Sequence, residues 1–163
     1  MECSCKECVA GCYHRPGTFS PDQILPVADY LNISVKQLFD KYLCIDWFQR
    51  EDDDDRDIFA LVPVKVGATP GEYNTFNPIG TCIFLKDDKC IIHPVKPIEC
   101  AHAHHDLVDD AVRKFRDETI VCKWDTDEAR DLIKMLYGDD LGVPDTNLFE
   151  ALNFMTDLCG GYI

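Results

Sequence analysis

Residues 81–92 read TCIFLKDDKCII, and this stretch decides how the middle of the chain folds. Two short apolar runs flank the polar segment Lys86-Asp87-Asp88. Short β-like runs on either side of a tight polar turn predict a β-hairpin. The hairpin carries Cys82 and Cys90 on facing strands, where two sulfurs can converge.

A second group of cysteines lies at the N-terminus, where residues 5–12 read CKECVAGC. The Cys5-x2-Cys8 spacing lets one tight loop direct two sulfurs at one ion, and Cys12 adds a third sulfur. Cys3 lies just before this group, and it is either a seventh ligand or a frayed terminal residue.

Cys100 completes the candidate set, in the first turn of a helix predicted to begin near Pro97. Backbone N–H groups and the helix dipole at that end stabilise a thiolate. Neither group alone supplies the usual four ligands, so we predict that both converge on one metal centre. The candidate metal ligands are Cys5, Cys8, Cys12, Cys82, Cys90 and Cys100.

Other interpretations of these side chains stay open. The six cysteines could be buried without a ligand role or form disulfides. The histidines of the middle region are metal ligands, hydrogen-bond donors to ligating sulfurs, or a solvated polar stretch; they are His93, His102, His104 and His105. We interpret Cys44, Cys122 and Cys159 as core residues on predicted helices.

The composition limits the class of protein. The chain has 163 residues, enough for one domain over 1–163, and a net charge of −14. That charge argues against nucleic acid and anionic lipid as partners and allows a protein partner, either a redox partner or a substrate. Without a signal-peptide pattern or a long apolar run, we expect a cytoplasmic protein with reduced thiols and no membrane association, which favours metal over disulfides. The acidic residues 51–55 predict a solvated loop.

Helix signals dominate the rest of the chain. Capping patterns predict helices that begin at Ser20, Ser34, Thr126 and Asp145. Apolar residues alternate with other residues at the end of 58–66, which predicts a strand, and Pro63 favours an edge position for it. Residues 67–80 predict a loop. The predicted fold class is α+β, mainly α, with short helices around a small β-hairpin and a cysteine-rich metal centre that joins the N-terminal loop to the middle of the chain.

Three short motifs carry a family resemblance. Gly80-Thr-Cys82-Ile-Phe-Leu85, Cys90-Ile-Ile and Lys96-Pro97-Ile-Glu-Cys100 resemble the signature of the YkgJ-like cysteine-cluster family, whose members are described as zinc- or iron-chelating proteins. The resemblance covers about residues 3–105, leaves a helical part over 106–163, and implies that all six candidate cysteines are ligands. The chain departs from the family pattern at Cys12, which replaces a Cys-Cys pair, and at His93, Lys96 and Ala101.

We therefore predict a metal-centre protein that binds an iron–sulfur cluster of the 4Fe-4S type and acts in redox chemistry or group transfer. A zinc-binding structural or interaction module is the first alternative. Flagellin lysine N-methylases contain a related domain, so an S-adenosylmethionine-dependent methyltransferase is the second. The sequence does not decide whether the protein is an enzyme.

Overall fold

The computed structural model describes residues 6–48, 57–74, 79–103 and 109–139. The helices in these ranges are α1 (Lys6–His14), α2 (Ile24–Tyr30), α3 (Val35–Tyr42), α4 (Ile98–His102), α5 (Asp109–Phe115), α6 (Val121–Trp124) and α7 (Asp127–Tyr137). The strands are β1 (Leu43–Phe48), β2 (Ile58–Pro63), β3 (Leu85–Lys86) and β4 (Lys89–Cys90). Short 3₁₀ helices precede α2 and α4, and a short π-helix at Arg116–Ile120 joins α5 to α6. The described part of the chain is thus mixed α+β and mainly helical, as predicted.

The predicted helix starts within the described ranges are confirmed. At α3, the Ser34 hydroxyl accepts the Gln37 N–H at 3.1 Å, and the Gln37 side chain accepts the Ser34 N–H at 3.0 Å. At α7, the Thr126 hydroxyl accepts the Ala129 N–H at 3.1 Å. Both caps satisfy N–H groups that have no partner inside the helix, and the one at α3 is reciprocal.

Two antiparallel pairs of strands supply the β structure. Strands β1 and β2 pair along their length, with Leu43 opposite Pro63 and Phe48 opposite Ile58. Strand β1 was not predicted, and the helix expected around Cys44 is wrong, although Cys44 is buried as expected. The reason is that the run from Leu43 pairs with a partner more than ten residues away, which no local signal reveals.

The predicted hairpin is confirmed as β3 and β4, with strands of two residues each. The prediction that Cys82 and Cys90 lie on facing strands is wrong, because Cys82 precedes β3 and forms an isolated bridge with Lys65, while Cys90 faces Leu85. Its turn contains Asp87 and Asp88, with φ angles of 48° and 59°. Two successive positive φ angles are typical of the turn that matches the twist of a tight hairpin. Aspartate tolerates this conformation better than most residues. The turn therefore sets the register in which Cys90 faces Leu85.

One core joins most of the described elements. Its largest fully buried side chains include Trp124, Phe19 and Phe84. The Trp124 indole N–H donates to the Phe19 carbonyl at 2.7 Å, which ties α6 to the segment after α1. Cys122 is exposed, so its predicted burial is wrong. Ile120 and Trp124 are one helical turn apart and take the buried face, which leaves Cys122 on the other side.

Several predictions concern residues outside the described ranges. These are Cys3, Cys5, His104, His105, the acidic residues 51–55, and the helix from Asp145 with Cys159. Among the described helices, none is both long and apolar enough to cross a membrane.

Candidate metal centre

The N-terminal cysteines belong to a helix. The backbone from Lys6 to His14 forms α1, so the prediction of a ligand loop is wrong for Cys8 and Cys12. Positions 8 and 12 are one helical turn apart, and the three-plus-four spacing of Cys5, Cys8 and Cys12 matches one face of a helix. The structure does not describe Cys5 or the side chain of Cys8.

Helix α1 packs directly on the segment that leads into the β3–β4 hairpin. The Cys82 N–H donates to the Cys12 carbonyl at 2.8 Å, and the Gly80 N–H donates to the His14 carbonyl at 2.8 Å. Cys90 is paired with Leu85 across the hairpin. These backbone contacts bring Cys12 and Cys82 side by side, with Cys90 on the adjoining strand.

Cys100 reaches the same region through the segment after α1. The Glu99 carboxylate accepts the Thr18 N–H at 2.7 Å, and the Glu99 N–H donates to the Thr18 carbonyl at 3.3 Å. At Gly17 a Cβ atom would lie 2.5 Å from the Cys100 sulfur and 3.1 Å from its backbone nitrogen. The two segments are therefore in contact, and only a residue without a side chain fits between them.

Burial is the main influence on the pKa values of the four candidate ligands whose thiols the structure describes. The pKa of Cys82 is raised to about 12, chiefly by burial and to a smaller extent by the charges of Cys12 and Cys90. The pKa of Cys12 is raised by burial and then by the charge of Cys90. Burial also raises the pKa of Cys100, and the charges of Cys12 and Cys82 add to that effect. The structure thus places Cys12 beside Cys82 through their backbones, Cys90 on β4, and Cys100 against Gly17.

Backbone N–H groups oppose these effects at three of the sulfurs. The N–H groups of Phe84 and Leu85 lower the pKa of the Cys82 thiol, and that of Ile92 lowers the pKa of Cys90. The Gly17 N–H does the same for Cys100. Hydrogen bonds of this kind stabilise thiolates and orient metal-ligating groups.

The described histidines have other contacts. The His93 Nε2 atom lies 3.4 Å from the Lys96 ammonium nitrogen. The His102 ring stacks on Phe115, with ring centroids 3.7 Å apart. Within the described residues, no three Cys, His, Asp or Glu side chains are arranged to hold a metal ion. The sulfurs of Cys5 and Cys8 lie outside that description, so the ligand set stays a prediction.

Sequence reasoning missed the residues that support these cysteines. The sequence predicts a turn over residues 13–17, which gives Gly17 no role beside Cys100, and it marks Lys96 only as a departure from a family motif. The helical spacing of the first three cysteines is a signal that could have revealed α1. The contacts of Gly17 and Lys96 link distant segments and carry no local signal.

Gln23 connects the start of α2 to the segment that leads into α4. Its side-chain oxygen accepts the N–H groups of Ser20 at 3.0 Å and Ile98 at 2.8 Å, and its amide donates to the Lys96 carbonyl at 3.0 Å. We expect Gln23→Ala to lower the free energy of unfolding by about 2 kcal/mol, because it removes the cap and both long-range bonds. Urea unfolding followed by circular dichroism measures this change.

Gln37→Ala is the matched control for that measurement. Gln37 occupies the same capping position in α3 and accepts the Ser34 N–H at 3.0 Å, but this bond is exposed and local. We expect a loss below about 1 kcal/mol, as for an ordinary cap. Equal losses in the two variants would mean that the bonds of Gln23 to the α4 segment add nothing.

Comparison of the chain with protein-family profiles, with curated proteins and with solved structures gives no significant match. The family resemblance therefore rests on the motifs at residues 80–85, 90–92 and 96–100 and on the departures already named.

Proposed function

We propose that this protein binds a metal centre through the thiolates of Cys12, Cys82, Cys90 and Cys100, with Cys5 and Cys8 available to complete the set. One observation carries the proposal. The Cys82 N–H donates to the Cys12 carbonyl, Cys90 lies on the adjoining strand β4, and Cys100 lies against Gly17 in the segment that follows α1. A bound cation would offset the mutual repulsion of these thiolates, and no other described group of side chains concentrates soft ligands in this way.

The residues fit a thiolate-bound metal in two further respects. Backbone N–H groups already point at the sulfurs of Cys82, Cys90 and Cys100. The sulfurs are also partly or fully withdrawn from water, because Cys82 is 7% exposed and Cys12, Cys90 and Cys100 are half-buried. A low local dielectric strengthens the attraction between thiolate and metal.

We favour an iron–sulfur cluster over a single zinc ion. The described cysteines approach from a helix, a hairpin and a second helix start, and the chain offers six candidate ligands where a closed zinc site needs four. A 4Fe-4S cluster takes sulfurs from several directions, and when bound it would supply electron transfer or activation of a group for transfer. The chain's own residues would hold it, exclude water and donate N–H bonds to its ligands.

Metal analysis tests the proposal directly. Protein produced and purified without oxygen, with ample iron, should be brown and carry iron and acid-labile sulfide in stoichiometric amounts. If the protein carries zinc and no sulfide under those conditions, the iron–sulfur hypothesis is wrong and the zinc-module alternative takes its place. Protein that takes up neither metal, with all its thiols reduced, would refute the metal centre itself.

The methyltransferase alternative stays a prediction that the described residues do not test. Binding of S-adenosylmethionine, measured by calorimetry on the metal-loaded protein, would support the methyltransferase alternative. A protein partner and a cytoplasmic location also stay predictions, and both depend on the −14 charge and the reduced thiols.

A further inference from the structure

A small polar cleft lies on the side of the β1–β2 sheet to which Asp46 points. Side chains alternate along a strand, so Asp46 shares this side with Cys44, which packs on Val62, while Ile45 points into the main core. Four of the seven lining side chains are charged or polar, and the other three are apolar. The lining residues are Arg15, Pro16, Asp46, Val62, Pro63, Lys65 and Asn74.

The apolar walls of the cleft are rigid, and its volume is small. Pro16, Val62 and Pro63 are buried, and the proline rings fix φ. The stem of Lys65 lies against Gly80, where an added Cβ atom would be 2.9 Å from the Lys65 Cδ atom. Even with its opening to solvent counted, the cleft has an empty volume of only about 230 Å³. Pockets for drug-sized ligands begin at roughly 300 Å³, so this cleft suits a ligand of a few non-hydrogen atoms.

Arg15 and Asp46 face each other in the cleft without a direct hydrogen bond. The Arg15 Nη2 atom lies 3.9 Å from Asp46 Oδ2, which is beyond hydrogen-bond range. Asp46 Oδ1 accepts the Trp47 N–H at 3.2 Å, and the Asn74 side chain also hydrogen-bonds to the Asp46 carboxylate. An ionised carboxylate has about four acceptor positions and a guanidinium group has five donors. Both side chains therefore keep the capacity to bind a ligand.

The cleft presents charges of both signs. The Arg15 and Lys65 side chains suit a carboxylate, and the Asp46 carboxylate suits an ammonium group. The net charge of −14 repels a ligand that is only anionic, and the two cations of the cleft repel one that is only cationic. A ligand that carries both charges and no net charge avoids both penalties.

We propose that this cleft binds a small zwitterionic α-amino acid, with its carboxylate on Arg15 and Lys65 and its ammonium group on Asp46. The site uses none of the candidate metal ligands, so the proposal is independent of the metal centre. The cleft nevertheless adjoins the cysteine region, because Lys65 forms an isolated bridge with Cys82 and Arg15 lies two residues before Gly17.

Saturation-transfer NMR on the full chain, purified without oxygen, tests the proposal with glycine as the probe. We expect saturable binding with a Kd of about 1 mM, which is within the limit for so small a ligand. N-acetylglycine lacks the ammonium group and glycinamide lacks the carboxylate. Each should therefore bind at least about tenfold more weakly than glycine, measured at physiological salt to screen long-range attraction.

Variants of the lining residues locate the binding. Arg15→Gln and Asp46→Asn should each weaken glycine binding at least about tenfold, because each removes the partner of one charged end. Arg113→Gln is the matched control, since Arg113 is exposed on α5, does not line the cleft, and changes the net charge by the same amount as Arg15→Gln. We expect this control to bind glycine as the unmodified protein does. Circular dichroism checks that each variant is folded.

Three outcomes would overturn the proposal. If the unmodified protein bound N-acetylglycine or glycinamide as tightly as glycine, the cleft would not recognise both charged ends. If folded Arg15→Gln and Asp46→Asn bound glycine as tightly as Arg113→Gln, the binding would lie elsewhere. If the unmodified protein bound no glycine at about ten times the expected Kd, the cleft would not be an amino-acid site. Metal content is measured separately, so none of these outcomes bears on the proposed metal centre.

Discussion

Cys82→Ser and Cys100→Ser should each empty the metal centre, with metal content falling to about a tenth or less of the unmodified protein. Serine keeps the size of the side chain but replaces a soft thiolate with a hard, un-ionised hydroxyl, which binds zinc or iron in sulfur-rich sites poorly. Cys82 precedes β3 and Cys100 lies in α4, so each would contribute a separate direction of approach. Metal and acid-labile sulfide per chain, measured after anaerobic purification, give the result.

Cys122→Ser and Cys44→Ala are the matched controls. Cys122 is exposed on α6, and Cys44 is buried in a separate small cluster with Val62 and Val64. The pKa of Cys44 is raised to about 12, chiefly by burial and also by the charge of Asp46, while the charge of Lys65 lowers it. Both variants should keep full metal content, and Cys44→Ala should lose only about 1 kcal/mol of packing. Loss of metal in Cys44→Ala as complete as in Cys100→Ala would mean that the ligand assignment is wrong.

The same variants show whether the metal centre stabilises the fold or is peripheral to it. A metal that binds only the native state adds its binding free energy to stability. Chelation should therefore lower the melting temperature of the unmodified protein and have no effect on Cys82→Ser, which has already lost the metal. The melt of Cys122→Ser should respond to chelation as the unmodified protein does.

Local signals predicted the helices well. Ser34 and Thr126 each cap a helix through a bond to a residue three positions on, and Gly138 ends α7 with a φ of 111°. Such signals are contained within one turn of the chain, so a single sequence reveals them. The same is true of the Asp87–Asp88 turn, whose neighbours alternate in the manner of a hairpin.

Contacts between distant segments could not be predicted. Strand β1 follows α3 without a break, and its pairing with β2 and its hydrogen bonds to residues 71–74 make it a strand rather than a longer helix. The Cys-x2-Cys spacing occurs both in the loops of metal knuckles and on one face of a helix. It therefore could not show that residues 6–14 form α1 and not a ligand loop. The convergence of Cys12 with Cys82 depends on hydrogen bonds that span seventy residues. The candidate cysteines were visible in the sequence, but the residues that support them were not.

Gly17 is the residue on which the position of Cys100 depends most closely. Its backbone is not among those with positive φ, so a side chain is excluded by space rather than by conformation. A Cβ atom there would lie 2.5 Å from the Cys100 sulfur, 3.1 Å from the Cys100 nitrogen and 3.3 Å from the Glu99 Cβ atom. The backbone nitrogen cannot rotate away as a flexible side chain would, so α4 must shift as a unit. Such a shift would also disturb the Thr18–Glu99 hydrogen bonds.

Gly17→Ala should therefore lower the free energy of unfolding by about 3 kcal/mol, the upper part of the range for overpacked cores, and reduce metal content as well. Gly11→Ala is the control, for which we expect the opposite change in the free energy of unfolding. Gly11 lies inside α1, is exposed, and has no atom within 4 Å of an added Cβ, so alanine should raise stability by about 0.5–1 kcal/mol and leave metal content unchanged. Urea unfolding and metal analysis on both variants measure the difference. A Gly17→Ala protein as stable and as metal-rich as Gly11→Ala would show that the segment after α1 does not hold Cys100 in the candidate site.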